Sequence, residues 1–213
     1  PPSAPPPALW LLTFPPETPM SSFWNSRWAE NSPLYGDAPN VFLAENAVLF
    51  PVKSKIICLA DGDGRNGRWL AQKGVEVIGV DNSAVAVAKA NALGVPGYQA
   101  IEADLSDWPV PECDAIVSIY AHLPPALRQR VHRRCWAALR PGGLFLLEAF
   151  TPAQLSRSSG GPKDEAMLYR ASMLQEDLPG AHFLHLEECT IALQEGSYHV
   201  GPAEVVRMIA QKT

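Results

Sequence analysis

The sequence predicts an α/β domain on a mostly parallel sheet, and three observations predict it. From residue 40 onward short β-branched runs alternate with helical segments, the rhythm of parallel strands joined by crossover helices. A loop of small residues, Cys58-Leu-Ala-Asp-Gly-Asp-Gly-Arg-Asn66, follows the first of those runs directly. An aspartate, Asp81, closes the second run in Val-Ile-Gly-Val-Asp.

The elements follow in order. Residues 55–59 are the first apolar run, and 66–72 form a short helix stopped by Gly74. A second strand covers 75–80, and Ser83 is a good N-cap for an alanine-rich helix that runs to Gly94. Residues 98–102 form a weaker strand and 115–119 a fourth. The helix after Pro124 and Pro125 runs to Leu139, and Arg140-Pro-Gly-Gly turns into the fifth strand, 144–150. The remainder changes character, with an irregular stretch at 160–164, a helix near 172–178 and strands at 183–193 and 205–210. Two late strands joined without a long helix predict an antiparallel edge.

At 213 residues the chain has room for one well-buried domain. Residues 1–19 are proline-crowded and expected to be a tail, with 20–213 as the single domain. The tail has neither a basic n-region nor an Arg-rich amphipathic pattern, so a signal or transit peptide is not expected. The net charge of −5 gives no footprint for a phosphate backbone, so nucleic acid is not an expected partner. The basic run from Arg128 to Arg140 interleaves with Leu127, Val131, Cys135, Trp136 and Leu139, which reads as a solvated helix face. The cysteines at 58, 113, 135 and 189 form no CxxC pair, so no metal site and no disulfide framework is expected, and a reducing, cytoplasmic location fits. No apolar stretch approaches the length of a membrane span.

The chemistry is expected at the carboxyl edge of the sheet. Gly62 and Gly64 lack a Cβ, so a ligand can approach the main chain, and the helix starting near Asn66 aims free N–H groups at it. Asp81 stands where a ribose-binding carboxylate stands in a Rossmann half, about 20 residues past the glycine loop. Its plain alternative is an N-cap, a role Ser83 fills as well. Asp104 falls just past the third strand, where an exposed loop aspartate is the bland reading. The fourth strand ends in Ser118-Ile-Tyr-Ala-His-Leu-Pro124, which brings Tyr120 and His122 to the same edge, His122 as a base or a positioning group.

Read together, Tyr35-Gly36-xx-Pro39-Asn40-x-Phe42-Leu43, Leu-Ala-x-Gly-Asp-Gly-Arg-Asn, Gly-Val-Asp81 and Leu-Arg-Pro-Gly-Gly143 resemble the S-adenosylmethionine (SAM)-dependent methyltransferases of the tellurite-resistance and thiopurine-methyltransferase-like group. The resemblance runs from about Trp24 to the C-terminus. Within the group it is similar to a bacterial subgroup with the Cys-Leu-Ala-x-Gly-x-Gly-Arg-Asn loop, a His-Leu-Pro turn, Gly-Gly-Pro-Lys-Asp and a late Glu-Gly-x-Tyr-His.

The resemblance implies a class I Rossmann-like fold: a seven-stranded, mostly parallel sheet with a reversed last strand and helices on both faces. It implies SAM as cofactor, S-adenosylhomocysteine as product and a small methyl acceptor, either a thiol or a selenium or tellurium species. By the same similarity Ala60, Gly62, Gly64 and Asn66 hold the cofactor, Asp81 and Asn82 its ribose, Asp104 and Leu105 its adenine, and Ser118 and Tyr120 its methionine side. Two positions depart from the pattern: the usual Asp at the head of the loop is Cys58, and the usual first glycine is Ala60. Tyr35 and Arg27 of the N-terminal segment are then expected to fold over the site. Lys163 and Tyr198 are the substrate-side candidates, and His199 joins His122 as a candidate base for an oxygen or nitrogen acceptor.

Two rivals follow. A nicotinamide-dependent oxidoreductase wants Gly-x-Gly-x-x-Gly, whereas the loop reads Ala60-x-Gly62-x-Gly64 followed by Arg65. A SAM-binding protein that has lost catalysis is motivated by Cys58 and Ala60.

Overall fold

The computed structural model describes residues 20–30 and 34–213; the proline-rich residues 1–19 lie outside it. Helix α1, Met20–Trp28, precedes α2, Val41–Asn46, whose N-cap Asn40 accepts the Leu43 N–H at 3.0 Å. Then β1 (Lys55–Leu59), α3 (Arg65–Ala71), β2 (Glu76–Asp81), α4 (Ala84–Ala92) and β3 (Tyr98–Glu102) alternate. They are followed by β4 (Cys113–Ile119), α5 (Pro125–Ala138), β5 (Leu139–Phe150), α6 (Ala171–Asp177), β6 (His182–Glu195) and β7 (His199–Gln211).

The strands form one seven-stranded sheet in the order β3-β2-β1-β4-β5-β7-β6. Neighbours pair in parallel from β3 to β5, and β7 runs antiparallel to both β5 and β6. The central strands are apolar on both sides because both faces are covered. Ile57 and Leu59 point into a core shared with Val131 and Cys135 of α5 and Leu174 of α6. Ile56 and Cys58 point into the opposite core with Phe42 and Leu70. Alternation along a single strand thus feeds two cores.

Three features differ from the sequence expectation. The Arg140-Pro-Gly-Gly segment is not a turn before β5 but an irregular part of it: Leu139 pairs with Cys113, the register shifts, and pairing resumes at Leu144 with Ala115. Gly142, at φ +80°, donates its N–H to the Lys212 carbonyl, so the end of β7 holds this segment in the sheet. The late strands are far longer than the apolar runs that announced them, because β6 is an edge strand with mostly half-exposed or exposed residues and carries no continuous apolar pattern. Only Gly196, Ser197 and Tyr198 separate them.

The third difference concerns the basic run. Arg130 and Arg133 are exposed, but Arg128 and His132 are buried on the same stripe of α5 as Val131 and Cys135. Both hold Asp177 at the end of α6: Arg128 Nε donates to Oδ2 at 2.7 Å and Nη2 to Oδ1 at 3.2 Å, and His132 Nδ1 lies 2.8 Å from Oδ2. This run is therefore an internal clamp between two helices as much as a solvated face.

Candidate functional site

A cavity of about 240 Å3 opens at the carboxyl ends of β1, β2 and β4, beside the point where the strand order reverses between β1 and β4. Open α/β sheets bind ligands at such a point because the loops on either side leave in opposite directions. The loop after β1 supplies one wall. Ala60, Gly62 and Gly64 adopt left-handed backbone conformations, with φ of +47°, +57° and +81°. For Gly62 the space is also closed, since a Cβ there would run into the indole of Trp28. Helix α1 therefore sits directly over the loop.

Asp81 braces this wall. Its Oδ2 accepts the Gly62 N–H and its Oδ1 the Ser83 N–H, each at 2.9 Å. The N-cap role belongs to Ser83, whose Oγ accepts from Ala86 N. Burial pushes the Asp81 carboxyl above the ordinary range against the pull of those backbone donors. Asn82, Ala103, Asp104 and Leu105 continue the wall, with Asp104 exposed and accepting the Ser106 N–H at 2.7 Å.

Aromatic side chains make up much of the remaining lining: Trp28 over the loop, with Trp24, Tyr35, Tyr120, Phe150 and His199. Tyr120 holds φ at +55°, a strained conformation for a bulky residue, and donates its hydroxyl to Glu148 Oε1 at 2.6 Å. Its ring stacks on Phe150 with centroids 4.6 Å apart. Glu148 is fully buried and also receives Asn40 Nδ2 at 2.6 Å and Arg207 Nε at 2.6 Å.

Of the residues expected at the site, Tyr35, Ala60, Gly62, Asn66, Asp81, Asn82, Asp104, Leu105, Tyr120, His122 and His199 line this cavity. Gly64 instead caps α3, and Ser118 is buried in β4 without reaching the cavity. Arg27 and Tyr198 line a smaller adjoining cavity of about 30 Å3, with the Arg27 guanidinium 4.6 Å from the Tyr198 ring centroid. Lys163 lines neither; its Nζ donates to the Arg157 carbonyl at 3.1 Å. The two histidines differ. His122 has both ring nitrogens engaged by backbone, Nδ1 at 2.7 Å from the Met167 carbonyl and Nε2 accepting the Phe150 N–H at 3.2 Å. Burial brings its pKa down to about 4, so it is a neutral strut between segments. His199 is engaged by no such bond at Nδ1.

Several residues of the site escaped the sequence reading. Asp61 lines the cavity beneath the loop, accepting the Tyr98 hydroxyl at Oδ2 (2.9 Å) and the Gly67 N–H at Oδ1 (3.3 Å). A Cβ on Gly67 or Gly79 would strike this pair. Gly67 also completes Gly62-x-Gly64-x-x-Gly67, so the spacing argument against a dinucleotide site does not hold. The spacing of Gly67 and Gly79 around a loop aspartate was the available signal for the buried pair.

Burial raises the Asp61 pKa to about 7, opposed by the bonds from Tyr98 and Gly67 and helped by Asp81 and Asp63. The folded chain then binds a proton that the unfolded chain has lost, so stability from this group falls as pH rises from about 4 to about 7. Asp61→Asn removes the titration. The difference in unfolding free energy between wild type and Asp61→Asn, measured by urea denaturation, should move against the wild type between pH 5 and pH 8.

Comparison with known proteins agrees with this architecture. Residues 56–143, from β1 into β5, match the family model described as a methyltransferase domain. The fold is that of the SAM-dependent methyltransferases. Superposition on TehB from Haemophilus influenzae gives a TM-score of 0.69 at 17% identity, covering 91% of this chain and 67% of that one. A SAM-dependent methyltransferase from Anabaena variabilis gives 0.68 at 18% identity, covering 91% and 93%. A structure concerned with conversion of a disulfide bond into a thioacetal group during echinomycin biosynthesis gives 0.72 at 16% identity, covering 91% of each chain. In sequence, the chain is 33% identical over 88 residues to carboxy-S-adenosyl-L-methionine synthase of Aliivibrio fischeri, a match to 38% of this chain and 36% of that protein. The chain thus spans little more than a third of the length of that curated relative. Among the described residues no helix is long and apolar enough to cross a membrane, and no cluster of His, Cys, Asp and Glu is arranged to hold a metal.

Proposed function

We propose that this chain is a SAM-dependent methyltransferase acting on a small-molecule acceptor. The observation that carries the reading is Asp81, a buried carboxylate at the end of β2, braced against the glycine loop and lining the cavity. The residues fit such a cofactor. Asp81 would hold the ribose hydroxyls beside its two backbone donors, the loop at residues 60–64 would present backbone to the amino-acid portion, and Leu105 beside Asp104 would give the adenine an apolar seat with one polar edge.

Bound SAM supplies a methyl group on a sulfonium, which leaves the protein chiefly the tasks of alignment and water exclusion. Trp24 and Trp28 of α1 cover the loop side of the cavity, and Tyr35 closes it from the following segment. Cys58, where the group has an aspartate, is buried in the core and offers no polar anchor. Arg65 lines the cavity but is committed to Glu195 and the Ala38 carbonyl. That leaves an acceptor end that is aromatic and suited to an uncharged or soft acceptor. A thiol, or a reduced selenium or tellurium species, as the sequence resemblance implies, suits this character.

Calorimetric titration with S-adenosylhomocysteine, alongside NADH, tests the cofactor. The expected result is binding of the former, weakened by about 1.5–3 kcal/mol in Asp81→Ala, the worth of hydrogen bonds to a charged group. Circular dichroism checks that the variant keeps its fold. Absence of binding, or preference for NADH, overturns the reading.

A further inference from the structure

We propose that His199 and Glu195 form a proton-accepting pair serving the acceptor end of the cavity, and that the acceptor is a small, flat, uncharged compound whose O–H, N–H or S–H must be deprotonated; this rests on the methyl-transfer reading. The two residues face each other across the tip of the β6–β7 hairpin, where Glu195 pairs with His199. Both side chains are only 8% exposed. Glu195 is fixed as an anion from two sides: Arg65 Nη2 donates to Oε2 at 2.6 Å and Asn40 Nδ2 to Oε1 at 3.1 Å. Burial pushes its pKa up, but His199 and Arg65 together hold it below the ordinary value.

His199 is placed to use that charge. Its Nδ1 is buried with no hydrogen-bond partner and lies 3.6 Å from Glu195 Oε2, too long for a hydrogen bond. Once the ring has taken up a proton, the neighbouring buried carboxylate stabilises it, because only the charged ring turns this contact into an ion pair. The Cδ2–Nε2 edge faces Gly160, where a Cβ would stand 2.6 Å from Cδ2 and 3.1 Å from Nε2. The imidazole lines both cavities. Burial keeps its pKa below the ordinary histidine value, so the ring is neutral and able to accept a proton.

The surroundings select the acceptor. The His199 ring centroid lies 4.8 Å from those of Tyr35 and Tyr120 and 5.3 Å from that of Phe150, so the cavity wall around it is aromatic and suits a flat acceptor. Arg65 is paired with Glu195 and Arg207 with Glu148, which leaves neither to neutralise an anionic acceptor. In the step itself the acceptor's proton passes to Nε2 of His199, and the electron pair left behind forms the new bond to carbon. The methyl's bond to sulfur breaks, the neutral thioether leaves as S-adenosylhomocysteine, and His199 returns the proton to solvent. Glu195 is a positioning residue that stabilises the intervening imidazolium.

The test compares wild type, His199→Gln and Glu195→Gln on a series of para-substituted phenols and thiophenols, together with the absorbance of 4-nitrophenol added to the S-adenosylhomocysteine complex. Loss of kcat/KM in His199→Gln should grow with the acceptor's own pKa, reaching about 10²–10⁴-fold for the least acidic phenols, with a smaller loss of the same slope in Glu195→Gln. The apparent pKa of the bound nitrophenol, read from its absorbance across pH, should be lower in wild type than in His199→Gln. A loss independent of acceptor pKa, no turnover of any member of the series, or an unchanged apparent pKa of the bound nitrophenol overturns the pair while S-adenosylhomocysteine binding persists. Absence of that binding overturns the methyl-transfer reading as well.

Discussion

Asp177→Ala should lower the unfolding free energy by about 3–5 kcal/mol, the cost of removing one partner from a buried ion pair. Asp177 is fully buried, and the variant strands the Arg128 guanidinium against Tyr169, 5.5 Å from its ring centroid, with His132 left beside it. The contacts with Arg128 and His132 hold the Asp177 pKa below the ordinary value despite burial. Its contribution is therefore present above the unfolded carboxylate pKa and lost as pH falls through the folded one. Urea denaturation at pH 7 measures the loss. Converting the pair together, as Arg128→Met with Asp177→Leu, should recover most of it, since the penalty lies in the unpaired charge. A double variant as unstable as the single one would show that the helices depend on the ion pair itself.

The second large effect is expected at Glu148. It is the shared acceptor for Asn40 Nδ2, the Tyr120 hydroxyl and Arg207 Nε, so Glu148→Ala leaves three donors without it. About 3–5 kcal/mol of stability should go with it, Arg207 being the costliest to strand. Near-ultraviolet circular dichroism should change too, because Tyr120 loses the bond that holds its ring against Phe150 in a left-handed backbone. Glu148→Gln, which keeps one acceptor oxygen, should be milder. Equal stability of Glu148→Ala and wild type would mean that water replaces the whole network.

Much of the fold could be read from residues alone, and for local reasons. β1, β2 and β4 carry β-branched residues and β5 an apolar run, and Ser83, Pro125 and the loop glycines punctuate them, so these elements announce themselves within a few positions. Asp81 was visible because its position relative to the loop is a property of chain spacing. The polar interior was not. Glu148 sits 108 residues from Asn40 and 59 from Arg207, and Arg65 sits 130 from Glu195, so no window of sequence contains both partners. A single acid in the apolar run Leu146-Leu147-Glu148-Ala149-Phe150 was the one local hint of that network. Arg128 and His132 were misassigned because a basic residue was taken for a surface residue, although both share a helical stripe with Val131 and Cys135. Tyr35 and Arg27 were expected over the site; Trp24 and Trp28 line the cavity beside Tyr35 and Arg27 lines the smaller one, a placement set by where α1 meets α4 rather than by motif.

Gly196 has no room for a side chain against the Leu34 carbonyl, and the Tyr198 N–H is bonded to that same carbonyl. The turn that aims Glu195 and His199 is thus riveted to the strip of chain carrying Tyr35, while the loop at residues 60–64 hangs from the parallel half of the sheet. The two are joined at one place, since Glu195 holds Arg65, the residue after Gly64, so a shift of the three-residue turn is carried to the start of α3 through a single buried ion pair.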